Sequence, residues 1–277
     1  MSENAPSQAE KADRFRALHE GPEPFIIANP FDAGSARILA GMGFQALATS
    51  SGGFAGTLGR RDGRVTRDEA LAHARAVVEA VHLPVSADLE NGFGHEPSAA
   101  AKTVRLAAET GLVGCSIEDA TGDRDNPLYD KDSAVARVAA AADAARSVGF
   151  DFTLTARCER FLRAEPDLDD VISRLQAFED VGADVLMAPG LPDLDAVKAV
   201  CAAVSKPVNF MVGIPGKSFP VADLGAAGVR RISLATSLYR AAMSGLADAA
   251  TEALENGTFA FVDSSMPTPK LTGYMRK

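Results

Sequence analysis

Tryptophan is absent from this 277-residue chain, and tyrosine and cysteine occur three times each. Cys115, Cys158 and Cys201 are odd in number and show no C-x-x-C spacing, so neither a disulfide framework nor a cysteine-held metal is expected. A reduced, cytoplasmic setting follows. No apolar run approaches the length of a membrane span, and the opening MSENAPSQAEKADRF lacks the apolar core of a secretory signal. Basic charge is short: 28 Lys and Arg stand against 37 Asp and Glu, a net charge of −9, with no basic block interleaved with aromatics. Nucleic acid and anionic membrane surfaces are therefore not expected as partners. No G-x-G-x-x-G follows the first apolar run, which argues against a dinucleotide-binding open sheet.

What is present is a regular alternation. Short runs rich in Val, Ile, Leu and Thr read as strands buried on both faces, at 25–30, 46–51, 84–90, 114–120, 152–159, 183–189, 207–213 and 230–236. Ala-rich amphipathic stretches between them read as helices, at 33–42, 66–81, 97–110, 132–148, 168–181, 193–204, 220–227 and 237–255. A Gly commonly precedes the next strand, as in Gly111-Leu112 and Gly182-Ala183, the usual helix-ending residue. Eight such units with short connections predict a (β/α)8 TIM-type barrel, a single domain over residues 1–277 with an extra C-terminal helical or extended segment. Residues 1–20 read as a helical or disordered lead-in. The tail at 257–277, rich in Ser, Thr and Pro, reads as extended and mobile.

In such a barrel the strand C-termini carry the active site. Read in order, those ends supply Asn29 and Asp32, then Ser50, Ser51, Gly52 and Gly53, then Asp88 and Glu90. Glu118 and Asp119, Arg157 and Glu159, Asn209 and Thr236 follow, while the sixth strand ends blandly at Pro189-Gly190. In "SADLENGFG" the two acids are two residues apart, so on a strand they face the same way. Like charges so close repel unless a cation or proton intervenes. Asp88, Glu90 and Glu118 converge from neighbouring strands, and oxygen-only donors suit Mg2+, or Mn2+, rather than Zn2+. The alternative is an ion pair of Asp88 or Glu90 with Arg157 inside the barrel mouth. Ser51-Gly52-Gly53 reads as a loop able to hold a carboxylate or phosphate, or as a plain turn. Arg157 suits an oxyanion or an ion pair with Glu159, and Asn209 either polarises a substrate oxygen or ties loops together. Cys115 and Cys158 read as small core residues. No Lys lies within a strand, which disfavours Schiff-base chemistry.

Taken in order, "ATSSGGFAGTLGRRDG", "SADLENGFG", "SIEDATG", "TARCE" and "PVNF" resemble the isocitrate lyase/phosphoenolpyruvate mutase superfamily over residues 25 to about 240. The resemblance implies a Mg2+-dependent barrel that makes or breaks C–C or C–P bonds beside a 2-oxo or 2-hydroxy carboxylate through a pyruvate-like enolate. It implies that Ser51 and Gly52 grip the substrate carboxylate. Asp62, Asp88, Glu90 and Glu118 would surround the metal, Arg157 would stabilise the oxyanion, and Asn209 would support the substrate. It also implies a homo-dimer or homo-tetramer, often with a swapped C-terminal helix. Two departures matter. Glu90 stands where the family commonly has Asp, and the loop TGDRDNPLYDKDS at 121–133 carries neither the lyase K-[KR]-C-G-H signature nor the mutase Lys-Thr-Asn-Ser gate. The expected activity is therefore decarboxylation or lysis of an oxaloacetate-like acid, with water or Tyr129 as proton source. Phosphonopyruvate chemistry or a non-catalytic metabolite-binding barrel are the alternatives.

Overall fold

The computed structural model describes residues 6–275. Its first helix, α1, is Gln8–Glu20, started by a reciprocal cap between Ser7 and Glu10. Eight strands follow: β1 Phe25–Ile27, β2 Leu47–Ala48, β3 Val85–Asp88, β4 Gly114–Glu118, β5 Thr153–Arg157, β6 Val185–Met187, β7 Val208–Met211 and β8 Arg231–Ser233. Between them run α2 Ala33–Gly41, α3 Ser51–Thr57, α4 Arg67–Ala80, α5 Pro97–Ala108, α6 Lys131–Arg146, α7 Arg160–Arg163, α8 Leu168–Asp180, α9 Leu194–Ala203 and α10 Val221–Ala226. Beyond β8 lie α11 Ser237–Thr251, a π-turn at Glu252–Asn256, α12 Phe261–Ser264 and α13 Thr268–Tyr274.

All strand pairs are parallel, in the order β1-β8-β7-β6-β5-β4-β3-β2, and the bridge between Ala28 and Leu47 joins the two ends. This is the (β/α)8 barrel that the alternation predicts. Each strand falls within its predicted run but is shorter, two to five residues. The hydrogen-bonded ladder stops before the apolar run does, so Glu90 and Glu159 sit past the strand ends. Side-chain acceptors start many of the helices: Asp32, Thr66, Asp130, Asp167 and Asp193 each accept from a first-turn amide. Apolar helix faces such as Val171, Leu175 and Phe178 of α8 then pack on the barrel wall.

Within the lead-in, residues 8–20 are helical as α1, while residues 1–5 lie outside the described residues, and α1 corks the N-terminal end of the barrel. Phe15 and Ala12 pack with Phe25, Ile27, Ala46 and Val113, and Gln8 donates to the carbonyls of Ala108 and Leu112 at 2.7 Å each. A side chain at Gly114 would run into the Thr153 carbonyl and the Phe15 ring, so this close approach requires glycine. His19 completes the cork. Its Nδ1–H donates to the Phe15 carbonyl at 2.8 Å, leaving Nε2 as an acceptor. Burial, and then the Arg231 charge, push the His19 pKa down to about 3.

This carries a stability consequence. Between about 3 and the ordinary 6.5 the unfolded chain binds a proton at His19 that the folded chain does not. Stability therefore rises with pH through that window and is lost on acidification, by about 2 kcal/mol at pH 4.5. In urea unfolding at pH 4.5 and 7.5, His19→Gln is expected to remove that part of the pH dependence. Identical pH slopes for the two proteins would show that His19 stays protonatable in the fold.

The C-terminal tail departs from its expectation. Over its described residues, 257–275, it is not extended: α12 and α13 form, and α13 returns to α2, with Arg37 Nη1 donating to the Met275 carbonyl at 2.8 Å and the Tyr274 ring against Gly41. Local Pro and Ser content disfavours long helices, but contact with α2 stabilises a short one. No residue of α11 or of the segments after it is fully buried, and Leu246, Leu254 and Phe259 are 63%, 87% and 63% exposed.

Candidate active site

A cavity of about 200 Å³ opens at the C-terminal mouth of the barrel. Arg157, Asn209 and Arg231 all reach it, and the rung Arg157–Met187–Asn209–Arg231 runs in register across β5 to β8. Residues in register share a face, so these side chains point inward together. Asp88, Ser116 and Thr155 form a second rung on β3 to β5, and Glu118 pairs in register with Arg157. Ser51, Gly52 and Asp62 close the near wall. A larger groove of about 690 Å³ lies at the opposite end of the barrel, where Arg16 pairs with Asp151 and Asp184 accepts from the Leu154 amide at 2.8 Å.

Arg157 is the hub of the mouth. It bonds Glu159, and lies 3.5 Å from Glu118 and 3.6 Å from Asp88. Burial works against its charge, yet Glu159, Glu118 and Asp88 together hold the guanidinium above its ordinary pKa. Glu118 is pushed well above the usual carboxylate range by burial, because the attraction of Arg157 is shared with Glu159. The ion-pair alternative is thus realised for Asp88, Glu118 and Glu159, whereas Glu90 makes no ion pair with Arg157. Glu159 also meets Arg163 at 3.2 Å, and its amide donates to Asp119. Asp119 in turn pairs with Arg174 at 3.2 Å, a clamp behind the mouth.

Asp88 is hydrogen-bonded on both oxygens. Oδ2 accepts from the Ser51 hydroxyl at 2.9 Å, and Oδ1 from the Glu90 amide at 3.2 Å. The Ser51 hydroxyl, read as a carboxylate grip, is therefore turned to Asp88. Ser51-Gly52-Gly53 is not a loop either: it opens α3, because the Ser50 side chain caps the Gly53 amide at 3.3 Å. Gly53 thereby has its N–H occupied. At Gly52 a Cβ would lie 2.8 Å from Thr236 Cγ2 and 3.3 Å from Asp62 Cγ, so only glycine lets α3, Asp62 and Thr236 meet.

Glu90 needs a second correction. It lies beyond β3 in a left-handed turn, φ 48°, and not side by side with Asp88 on the strand. Its side chain lines a smaller neighbouring cavity with Asp88, Phe54 and His73. Burial, then Asp88 and Asp62, raise Glu90 to about 7, the mark of negative charge in surplus. Among the described residues no three acidic, His or Cys side chains converge as a ready metal cage. A hydrated Mg2+ needs no such cage, since it keeps most of its waters and takes one or two carboxylates. Asp88 at the cavity wall, ringed by Asp62, Glu90 and Glu118, fits that demand in charge and donor type.

The 121–133 loop lies outside the cavity lining. The Tyr129 hydroxyl is 2.8 Å from His95 Nδ1 and its ring lies under Arg137, 4.3 Å from the guanidinium carbon, so it does not face the site. Sequence reasoning missed Arg163, Ser116, Ser233 and Arg231 as cavity residues. A charged residue opening the apolar run RISLA was the available signal for Arg231. Cys115 and Cys158 are buried, as expected of core residues.

A closed parallel barrel with arginines, carboxylates and an amide gathered at its C-terminal mouth has the layout of a TIM-barrel enzyme. The chain belongs to the phosphoenolpyruvate phosphomutase family, whose model matches residues 15–254, within the isocitrate lyase/phosphoenolpyruvate mutase superfamily. It is similar to the 2-methylisocitrate lyase of Escherichia coli, 30% identical over 87% of this chain and 82% of that one. The oxaloacetate decarboxylase of Chromohalobacter salexigens is 26% identical over 89% and 86%. A crystal structure from Burkholderia cenocepacia J2315, provisionally described as a lyase/mutase, superposes with a TM-score of 0.95 at 51% identity, covering 98% of this chain and 97% of that one. The chain is accordingly a lyase-class enzyme of this superfamily.

Proposed function

We propose that this protein cleaves a C–C bond in a small, oxaloacetate-like 2-oxo or 2-hydroxy carboxylic acid, generating a pyruvate-type enolate. The observation that carries the reading is the small mouth cavity in which Asp88 and Asp62 face Arg157 and Asn209. At about 200 Å³ it is below the roughly 300–1,000 Å³ of drug-sized ligand pockets, which suits a short acid. In this reading Gly52, on the cavity wall at the start of α3, positions the substrate carboxylate, while Ser51 and Gly53, engaged by Asp88 and Ser50, hold the turn that presents it. Asp88 would hold Mg2+, or Mn2+, with Asp62, Glu90 and Glu118 orienting its waters. Such a cation supplies Lewis-acid stabilisation of charge developing on the substrate oxygen. Arg157 balances the same oxyanion from β5, with Glu118 keeping its fork oriented, and Asn209 donates from the far wall. As the C–C bond beside the 2-oxo group breaks, the departing carboxylate leaves as CO2, the bond's electron pair becomes the C=C of the enolate and the carbonyl π pair moves onto oxygen; water then protonates the enolate carbon to give the keto acid.

The test is a Mg2+-dependent assay for pyruvate with oxaloacetate, isocitrate, 2-methylisocitrate, dimethylmalate and phosphonopyruvate in parallel. Glyoxylate, succinate and phosphate are followed too, and metal-catalysed oxaloacetate decay is subtracted. Turnover of a C–C substrate is expected. Phosphate released from phosphonopyruvate alone would move the reading to C–P chemistry, and tight oxalate binding without any turnover would leave a metabolite-binding barrel.

The exposed apolar residues of the arm after β8 support assembly with a second copy, the default for a soluble enzyme. Light scattering at the 28.8 kDa of one chain would overturn this. Among the described residues, no helix is long and apolar enough to cross a membrane. The unpaired cysteines support a cytoplasmic setting, which recovery in a secreted fraction would contradict.

A further inference from the structure

The floor of the mouth cavity holds a cation that the chemistry above does not use. Arg231 is 5% exposed, stands on β8 and lines the cavity beneath Asn209. Its three hydrogen-bond partners are all neutral. Nε donates to Asn209 Oδ1 at 2.8 Å, Nη2 to Thr155 Oγ1 at 2.8 Å, and Nη1 lies 3.3 Å from His19 Nε2. His19 has its one ring proton committed to the Phe15 carbonyl, so it meets the guanidinium with a lone pair and adds no charge. Burial lowers Arg231 to about 9, which leaves it protonated at neutral pH. The charge is thus neither neutralised by a neighbouring carboxylate nor removed by deprotonation.

Two consequences follow from that geometry. The first concerns Asn209, whose Oδ1 is taken by Arg231 and whose Nδ2 donates to Ser233 Oγ at 3.0 Å. The amide is therefore fixed one way round, and its remaining N–H is the donor it can offer to the cavity. The second concerns polarity. Asp62 and Asp88 make one wall negative, while Arg231 makes the floor positive. A packing role alone does not account for a buried cation without a counter-ion, because an unbranched apolar residue would fill the same space without the desolvation cost.

Resting on the reading proposed above, we infer that Arg231 is the positioning residue of this site. It locks the Asn209 amide as a donor and supplies the fixed positive charge that selects an anionic oxygen at the cavity floor. The ligand class is a small acid bearing two anionic oxygens or carboxylates, one of which would meet the cation held at the acidic wall and the other the positive floor.

Calorimetric titrations of Mg2+ alone, and of oxalate at saturating Mg2+, test this on wild type, Arg231→Met and Asn209→Asp. Arg231→Met is expected to weaken oxalate by about tenfold or more, the effect of one charge acting across several ångströms of intermediate dielectric. Its Mg2+ affinity is expected to hold or tighten, since a positive charge has left the site. A merely structural role would weaken both together, and that result would overturn the inference. Asn209→Asp places a carboxylate against the guanidinium, so it neutralises the floor and deletes the donor while keeping the shape. The same loss of oxalate affinity is expected there, with no fall in the thermal midpoint. Should Arg231→Met fail to fold, wild-type oxalate affinity in Asn209→Asp overturns the inference by itself. Absence of oxalate binding in wild type would overturn the reading of the whole site, which is distinguishable from failure at Arg231 alone.

Discussion

Asp88→Asn is expected to lower kcat/KM by at least about 10³-fold, the scale of losing a central electrostatic element of a site. The substitution preserves shape, so the reason is chemical. Every hydrogen bond that the Asp88 carboxylate makes is received: Ser51 donates through its hydroxyl and its amide, Glu90 through its amide, and Ser116 through its hydroxyl at 3.4 Å. An amide in its place must turn an NH2 toward one of these donors, whichever way it flips. It also removes the one carboxylate that lines both the main and the neighbouring cavity. Mg2+ affinity should fall with turnover, while circular dichroism stays that of the folded chain. Turnover within tenfold of wild type, on the substrate that wild type prefers, would remove Asp88 from the chemistry.

Arg157→Met should cost about 3–5 kcal/mol of stability at pH 7 in addition to activity, as expected when one member of a buried ion-pair network is removed. Glu159, with its side chain 0% exposed, and Glu118, at 9%, would be left with Arg163 as the nearest cation, and Arg163 is half exposed to water. Asp88 loses its positive neighbour as well. Three carboxylates would then repel one another in a site of low polarisability. Urea unfolding of the variant against wild type measures the loss. A difference below about 1 kcal/mol, the scale of an exposed pair, would mean that solvent already screens this cluster. Lysine does not restore the network, because a single ammonium cannot face Glu159, Glu118 and Asp88 at once as the planar fork does.

These two residues lay at strand ends that hydropathy alone located. Asp88 closes β3 and Arg157 closes β5, at the ends of predicted runs that stop two residues further on. Asn209, by contrast, was legible as a candidate but not in its orientation, which depends on Arg231, a residue of the next strand. Glu90 looked equivalent to Asp88 because a two-residue spacing puts both on one strand face. The ladder ends at Asp88, and a left-handed residue follows, which turns the second acid into another cavity. Ser51 to Gly53 looked like a loop because two glycines are poor helix formers. One capping bond from Ser50 and the contacts with Thr236 and Asp62 outweigh that propensity.

Alternation of apolar runs with Ala-rich amphipathic stretches was enough to set the number and order of β/α units and the end of the barrel that carries polar residues. These properties are local: each depends on periodicity within about ten residues. Which acid pairs with which arginine, which way an amide faces, and whether the tail folds back on α2 came only with barrel closure. Glu118 and Arg157, or Asn209, Arg231 and His19, are far apart along the chain and meet only through strand register and the cork of α1. Charge–charge interactions fall off with distance and depend on burial, and the unfolded chain specifies neither.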